Sequence, residues 1–266
     1  MNAETLNILC CPARYVPLQL VTQSSPHGGA QQFLANDDHG IRYRIHDGIP
    51  IFVEREQITD LNNKYRNIYD RVAPLYDFIS SVGLFVFGLS EKKMRKEFLS
   101  ALEIRPGDKV LETSVGTGSN LRYLPRDANY YGLDLSWGML KVCKRKLPKM
   151  GQRAELFLGE AENLPFADSS FDVVFQMGGI NFFSDRGKAI REMVRVAKKG
   201  TRIIIMDETE KVARISEKIP GIKVWFKDRR EPIAAPLDLI PQGMEEVESR
   251  DLFNGQAWYL SFRKPA

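Results

Sequence analysis

The spacing of apolar residues changes twice along the 266-residue chain and divides it into three parts. Residues 1–55 carry short alternating runs rich in β-branched and aromatic side chains, which predict a small β-rich module. Residues 56–105 follow a helical period, which predicts a linker or lid made of helices. In residues 106–266, strand-like runs alternate with amphipathic helical segments, a pattern typical of a parallel sheet covered by helices.

The third part predicts a sheet of seven strands, most of them marked by short apolar runs with polar or glycine residues at their ends. The predicted strands are 109–113, 130–134, 154–158, 172–176, 202–207, 245–250 and 257–262. Asn254 and Gly255 predict a tight hairpin between the last two strands. The predicted fold class is therefore α/β: a Rossmann-like, mostly parallel sheet with an antiparallel C-terminal hairpin, plus the small N-terminal module.

An acidic residue stands at the end of each of the first two predicted strands. Glu112 lies in the sequence VLETSVGTG and Asp134 in the sequence LDLS. Because adjacent parallel strands end at the same edge of a sheet, these carboxylates predict a nucleoside-binding crevice. Gly116 and Gly118 form the intervening turn, but Leu121 occupies the place of the third glycine of a dinucleotide site. The alternative is a doubly wound domain whose glycines only make a turn.

This loop resembles motif I of the class I S-adenosylmethionine (SAM) methyltransferases. SAM carries a sulfonium and an ammonium group and no phosphate, which suits the acidic strand end at Glu112. The resemblance implies that Asp134 accepts both ribose hydroxyls. It also implies that N–H groups at the start of a following helix bind the methionine carboxylate. Ser114 replaces the usual first glycine, so it needs a negative φ or a strained backbone.

Three further stretches resemble the ubiquinone/menaquinone-biosynthesis (type 11) methyltransferases, and the resemblance covers about residues 64–263. The stretches are YDRVAPLYD, GEAENLPF with the following SFDVV, and REMVRV. The resemblance implies SAM as cofactor, S-adenosylhomocysteine (SAH) as product, and an adenine contact at Glu160. The cofactor-binding residues that it implies are Tyr69, Glu112, Ser114, Gly116, Thr117, Gly118, Asn120, Asp134, Leu135, Met139, Glu160, Ala161, Gln176 and Met177.

The three histidines of the chain all lie in the N-terminal module, so the predicted sheet has no histidine base of its own. Tyr76 and Asp77 are the candidate catalytic residues, and Asp185 is a weaker third. A small, hydrophobic acceptor is the predicted substrate, because the apolar segment 78–89 directly follows Asp77. That segment predicts either a lid that contacts a membrane surface or an ordinary buried helix.

The N-terminal module resembles the small zinc ribbon that activates some tRNA methyltransferases, through the sequences LNILCCP and YRIHDGIP. Cys11 matches one of the four cysteine ligands of that ribbon. The other three ligand positions hold Arg14, Ala35 and Asp38. One thiolate cannot form a closed zinc site, and neither His27 nor His39 stands at a ligand position. We therefore expect a degenerate module that binds no zinc.

Composition restricts the remaining hypotheses. The net charge of +4 is too small to argue for nucleic acid by itself, and no basic stripe with interleaved aromatic residues occurs. Three cysteines do not form a disulfide framework, so we expect a cytoplasmic protein. The start of the chain lacks the pattern of a signal peptide. An RNA methyltransferase and a non-catalytic SAM-binding or partner-binding protein remain as alternatives to the small-molecule enzyme.

Overall fold

The computed structural model describes residues 1–24, 30–53, 58–219, 223–226 and 231–266. The helices are α1 (Ala3–Leu6), α2 (Asp60–Val72), α3 (Tyr76–Val86), α4 (Glu91–Leu99), α5 (Trp137–Met150), α6 (Arg186–Val196) and α7 (Glu210–Ser216). The first strands are β1 (Gln19–Ser24), β2 (Ala30–Asn36), β3 (Ile41–His46) and β4 (Ile49–Pro50). The later strands are β5 (Lys109–Thr113), β6 (Asn129–Asp134), β7 (Ala154–Leu158), β8 (Val173–Met177), β9 (Arg202–Glu208), β10 (Glu245–Leu252) and β11 (Ala257–Arg263).

The seven later strands form one sheet in the order β10-β11-β9-β8-β5-β6-β7. Strands β5 to β9 are parallel, and β10 and β11 complete the sheet as an antiparallel hairpin. The chain proceeds from β5 outward through β6 to β7, and then returns to add β8 and β9 on the other side of β5. A switch point therefore lies between β5 and β8, where open α/β sheets bind ligands.

Helices cover both faces of this sheet. On one face, Phe98 of α4 and Leu140 of α5 pack with strand residues such as Phe175. On the other face, Ile190 of α6 and Ala213 of α7 belong to a second apolar cluster. The predicted fold class is confirmed, and the seven strand positions are correct to within one or two residues at each end.

The helix expected after the glycine loop is absent. Residues 114–128 are all described, and their only helical piece is the 3₁₀ turn Leu121–Tyr123. The Gln152 side chain donates hydrogen bonds to the carbonyl oxygens of Leu121 and Leu124, at 2.8 and 2.9 Å. These bonds satisfy carbonyl groups that a longer helix would have paired internally. The predicted anion site at a helix N-terminus is therefore wrong, since the turn is too short to form one.

The N-terminal strands form a separate antiparallel sheet in the order β1-β2-β3-β4. The chain after β4 then runs beside the edge strand β7, where the Phe52 N–H donates to the Leu158 carbonyl oxygen at 2.8 Å. The Phe52 ring contacts that of Phe157, with ring centroids 6.4 Å apart. Leu9 and Leu34 belong to the same apolar cluster as the sheet residues. The N-terminal strands thus pack against the main sheet, and the domain bounds at residues 55 and 105 stay a prediction.

Helix α3 exposes an apolar face, so the alternative of an ordinary buried helix at 78–89 is wrong. Phe78 is 71% exposed and Phe85 is 82% exposed, with Leu75, Val82 and Val86 also exposed beside them. Within the described ranges, no single helix is long and apolar enough to cross a bilayer. One pair of helical segments, Asp60–Val86 and Glu91–Leu99, is bent by 95° at the break between them. By length and composition only, this pair is long and apolar enough to cross a bilayer.

Candidate functional site

An open cavity lies at the carboxyl ends of the parallel strands, beside the switch point of the sheet. Its empty volume, mouth included, is about 1080 Å³. One part of the lining is polar, whereas the part under α2 and α3 is aromatic.

Asp134 ends β6 and holds the glycine loop that follows β5. Its carboxylate accepts hydrogen bonds from the Gly116 N–H and the Ser136 N–H, both at 2.8 Å. Burial raises the pKa of Asp134 to about 6, so the group is ionised at neutral pH. Each carboxylate oxygen has two lone pairs. Asp134 can therefore accept two more donors, which matches the two hydroxyls of a ribose.

Ser114 adopts the strained conformation that the sequence left open. Its φ is +109°, in a region that favours glycine, and such a residue typically costs about 1–3 kcal/mol. The Ser114 N–H donates to the Leu133 carbonyl oxygen at 2.8 Å, which ties the loop to β6. Ser114 also lines the cavity. The strain therefore lies in the lining of the candidate site, as strain often does.

Glu112 is the buried end of a chain of polar contacts. One of its carboxylate oxygens accepts a hydrogen bond from the Asn120 amide, whose own oxygen accepts one from Arg95 of α4. The other oxygen, Oε2, is buried and has no hydrogen-bond partner among the described residues. Burial raises the pKa of Glu112 to about 8, although the Asn120 bond and the Arg95 charge lower it. An unpaired buried oxygen in a cavity is a ready site for a cationic ligand group.

Glu160 follows β7 and is held by the first turn of α2. The Asn62 amide donates to Glu160 at 2.8 Å and to Glu162 at 3.1 Å. Burial raises the pKa of Glu160, whereas the Asn62 bond opposes that shift. Met139 and Leu135, which follow β6, line the same cavity and supply apolar surface. The cavity lining therefore contains both an acceptor carboxylate after β7 and apolar side chains after β6.

Aromatic side chains line the part of the cavity under α2 and α3. Tyr69 and Tyr76 meet edge to face, with ring centroids 6.0 Å apart. Tyr65 packs on Phe182 at 4.6 Å between ring centroids. Phe183 and Met177 line the same cavity. This part of the site therefore suits a flat or hydrophobic molecule.

Comparison with known proteins agrees with this geometry. Residues 111–205 match the family model described as a methyltransferase domain. That match covers the glycine loop, both strand-end acids and the strands on either side of the switch point. Residues 111–205 form a methyltransferase domain. The predicted resemblance to class I SAM-dependent methyltransferases of the ubiquinone/menaquinone type is confirmed.

Relatives and solved structures extend the match beyond that domain. A demethylmenaquinone methyltransferase of Thermotoga maritima is 36% identical over 143 residues, which cover 53% of this chain and 59% of the relative. One from Chlorobaculum parvum is 29% identical over 221 residues, covering 77% and 87% of the two chains. The chain spans less than two thirds of the length of several curated relatives that it matches.

The fold likeness is also seen in crystal structures. A SAM-dependent methyltransferase from Thermotoga maritima superposes with a TM-score of 0.56 at 24% identity. The match covers 74% of this chain and 98% of that chain. At this identity the likeness shows the fold alone, and the fold is the one predicted from the sequence.

Most of the residues predicted to bind the cofactor come together around the cavity of the methyltransferase domain. The predicted residues that line it are Tyr69, Tyr76, Glu112, Ser114, Gly116, Thr117, Asn120, Asp134, Leu135, Met139, Glu160, Ala161 and Met177. Gly118 and Gln176 lie outside this lining. A Cβ on Gly118 would lie 2.6 Å from the Cys143 sulfur, so this glycine permits close packing of α5. Gln176 is buried, and its amide donates to the Gly178 carbonyl oxygen at 2.5 Å.

The two candidate catalytic residues have different surroundings. Asp77 lies outside the lining and accepts hydrogen bonds from Lys146 at 2.6 Å and Thr117 at 2.5 Å. Burial disfavours its ionisation, but these bonds still lower its pKa. Tyr76 lines the cavity, and burial raises its pKa to about 12. Asp77 is therefore placed to position the glycine loop, and Tyr76 is a neutral hydrogen-bond donor at physiological pH.

Several lining residues were not predicted from the sequence, among them Asn62, Arg95 and Glu208, which come from three different elements. Asn62 lies on the same face of α2 as Tyr65 and Tyr69, so a polar residue on an otherwise apolar face was its signal. No sequence feature distinguished Arg95, because α4 has many charged residues. Glu208 follows Asp207 at the carboxyl end of a buried strand, and this is the same signal that identified Glu112 and Asp134.

The positions equivalent to zinc ligands are spread over different environments in the N-terminal strands. Cys11 is buried, and its sulfur lies 3.1 Å from the Tyr43 hydroxyl, at hydrogen-bond distance. Ala35 is buried, whereas Arg14 and Asp38 are exposed. Among the described residues, no group of three histidine, cysteine or acidic side chains is arranged to hold a metal. His27 lies outside the described residues, and the absence of zinc stays a prediction.

Proposed function

We propose that the protein is a SAM-dependent methyltransferase that methylates a small, hydrophobic, quinone-related acceptor. The observation that supports this most strongly is the division of the cavity. Its polar part, built on the ends of β5, β6 and β7, has the acceptors and backbone groups that a sulfonium nucleoside needs. Its aromatic part, under α2 and α3, lines the same cavity.

The residues present fit SAM group by group. Asp134 accepts the ribose hydroxyls, and Glu160 accepts the adenine amino group against Met139. The free oxygen of Glu112 binds the methionine ammonium. Arg95 takes the carboxylate, in place of the helix N-terminus that the fold lacks. Bound there, SAM supplies an electrophilic methyl group, and the protein orients it and excludes water.

The aromatic part of the cavity suits the ring of a quinol. Edge-to-face and offset contacts from Tyr69, Tyr76 and Phe182 favour a flat acceptor. The relatives are named as demethylmenaquinone methyltransferases, which agrees with an acceptor of this chemical class. The three cysteines are buried free thiols, and a cytoplasmic location is part of the proposal.

The test is methyl transfer from isotopically labelled SAM to a panel of acceptors. We expect SAH to form with short-chain demethylmenaquinol, and label to appear in the quinol. The panel includes tRNA and rRNA transcripts and a histamine-type amine. Product with RNA alone would replace the proposal by the RNA methyltransferase alternative. SAH binding without turnover on any acceptor would favour a non-catalytic SAM-binding protein.

We further propose that the exposed face of α3 contacts a membrane surface that holds the acceptor. Leu75, Phe78, Val82, Phe85 and Val86 expose apolar side chains on or next to this helix. Exposed lysines at positions 92, 93 and 96 follow on α4 and supply the positive charge that anionic lipids attract. The helix begins at Tyr76, which lines the cavity, so a lipid-soluble acceptor has a short path from the bilayer.

Replacing Phe78 and Phe85 with serine is expected to weaken binding to vesicles of phosphatidylcholine and phosphatidylglycerol by at least about tenfold, because both rings lose apolar burial. Co-sedimentation measures this, and binding should fall further at high salt. SAH affinity should be unchanged. The matched control is Val247→Ser, an exposed apolar residue on the hairpin strand β10. Equal vesicle binding by the wild type and the double variant would contradict the membrane contact.

A further inference from the structure

Glu208 is a half-buried acid at the carboxyl end of β9, and none of the proposed cofactor contacts involves it. It lines the cavity, and its Oε1 atom is buried without a hydrogen-bond partner in the described part of the chain. Its neighbour Asp207 is differently placed, because that carboxylate accepts hydrogen bonds from the backbone N–H groups of Asn181 and Glu208, at 3.0 and 2.9 Å. Asp207 therefore shapes the strand end, whereas Glu208 keeps a free oxygen.

The order of the strands places Glu208 on the acceptor side of the cavity. The acids assigned to the nucleoside stand at the ends of β5, β6 and β7, namely Glu112, Asp134 and Glu160. Strand β9 lies on the other side of β5, beyond β8. The charge of Glu208 acts on Tyr69 and Tyr76 of the aromatic part, as do the charges of Asp207 and Asp134. Glu208 therefore stands two strands away from Glu112 in the sheet, next to the aromatic part where the acceptor is proposed to bind.

We propose that Glu208 is the catalytic base, which removes a proton from a hydroxyl-bearing acceptor as the methyl group is transferred. This inference rests on the proposed function and specifies its chemistry. An acceptor proton passes to Glu208, and the electron pair released forms the bond to the methyl carbon. The methyl–sulfur bond breaks, and its electron pair stays on sulfur. One proton leaves the acceptor per methyl group gained, whether carbon or oxygen is methylated.

The surroundings of Glu208 suit proton transfer better than those of the other candidates. Burial, with the nearby Asp207 carboxylate, raises the pKa of Glu208 well above its ordinary value, which makes it a stronger base than a solvated carboxylate. Tyr76 keeps its proton at neutral pH, since its pKa is raised to about 12. Asp77 is held by Lys146 outside the lining. The charged and titratable groups that line the cavity from the covering helices are Tyr65, Arg66 and Tyr69 of α2, Tyr76 of α3 and Arg95 of α4. Asp207 stands next to Glu208 on β9.

The experiment compares wild type, Glu208→Gln and Glu97→Gln, the last being an exposed acid on α4. With demethylmenaquinol as acceptor, kcat of Glu208→Gln should fall by about 10²–10⁴-fold. The KM for SAM should stay within about threefold of the wild-type value, since Glu208 lies away from the nucleoside contacts. The rising limb of the wild-type kcat against pH should disappear in this variant. Glu97→Gln should match the wild type throughout.

A second measurement does not depend on turnover. Binding of 1-naphthol to the SAH-loaded protein is followed by fluorescence between about pH 6 and 9. Wild-type affinity should rise with pH as Glu208 loses its proton and becomes able to accept the naphthol hydroxyl, and Glu208→Gln should lose this dependence. The same pH dependence in both proteins, or a kcat within about threefold of wild type, would overturn the assignment. Failure of the wild type to methylate any acceptor would reject the proposed function, whereas the naphthol measurement would still decide whether Glu208 binds the hydroxyl.

Discussion

Asp134→Ala is expected to weaken SAH binding by about 2–4 kcal/mol, or roughly 30- to 1,000-fold. The substitution removes an ionised acceptor that would receive two ribose hydroxyls. It also leaves the N–H groups of Gly116 and Ser136 without the oxygens that they bond at 2.8 Å. Isothermal titration calorimetry at about pH 7.5 measures the change. Asp127→Ala, an exposed acid on the loop before β6, is the matched control and should bind SAH normally.

A modified ligand separates the ribose contact from damage to the loop. If Asp134 binds the hydroxyls, 2′-deoxy-SAH should bind wild type more weakly than SAH does, by about 1.5–3 kcal/mol. The same two ligands should differ much less in their binding to Asp134→Ala, because the partner of the missing hydroxyl is already gone. An equal penalty in both proteins would show that the ribose lies elsewhere. The free energy of unfolding of each variant, measured in urea, shows how much of the loss comes from the loop.

The strands of the sheet were predictable because their signals are local. Strands β5 and β7 have the predicted bounds, since each is a short apolar run with polar residues or glycine at its ends. The helix after β5 was predicted from the family resemblance, against the local sequence. Residues 119–128 include Pro125, and the turn there depends on Gln152, which lies far along the chain. The local sequence around residues 119–128 therefore does not indicate this distant partner.

The residues of the candidate site likewise differ in whether the sequence could predict them. Glu112 and Asp134 could be found because strand ends of a parallel sheet converge, and that rule also applied to Glu208. Arg95 could not, because its role depends on how α4 docks over the sheet. The ion pair between Asp77 and Lys146 could not be predicted either, since Lys146 lies on α5 and contacts Asp77 only in the folded chain. Sequence therefore predicted the positions on the sheet, whereas the contributions of the covering helices required the structure.

SAH affinity is expected to rise by nearly tenfold per pH unit up to about pH 7 and to level off above about pH 8.5. The cause is Glu112, whose pKa burial raises to about 8 in the ligand-free protein. Below that pH the carboxyl is mostly protonated and must lose its proton before it can pair with the ligand ammonium. Measurements should stay above about pH 6.5, because Asp134, with a pKa of about 6, titrates below that range.

Glu112→Gln should remove this pH dependence and weaken binding at about pH 8 by about 1.5–3 kcal/mol, the usual value of a charge-assisted hydrogen bond. Calorimetry in two buffers of different ionisation enthalpy counts protons directly. Close to one proton should be released per wild-type binding event near pH 7, and none by the variant. 5′-Methylthioadenosine lacks the ammonium group, so its affinity should not follow Glu112. If SAH and 5′-methylthioadenosine show the same pH dependence, Glu112 does not bind the ammonium.

The same ionisation has the opposite consequence for the stability of the ligand-free protein. The folded pKa of about 8 exceeds the ordinary value of 4.5, so the folded state binds the proton more tightly than the unfolded chain. This contribution is fully present below about pH 4.5 and is lost as the pH rises through about 8. Glu112→Gln should therefore raise the thermal unfolding midpoint near pH 8 while it weakens SAH binding. A variant that lost both stability and affinity would place Glu112 in the packing of β5, whereas opposite changes identify a carboxylate kept buried for a cationic ligand.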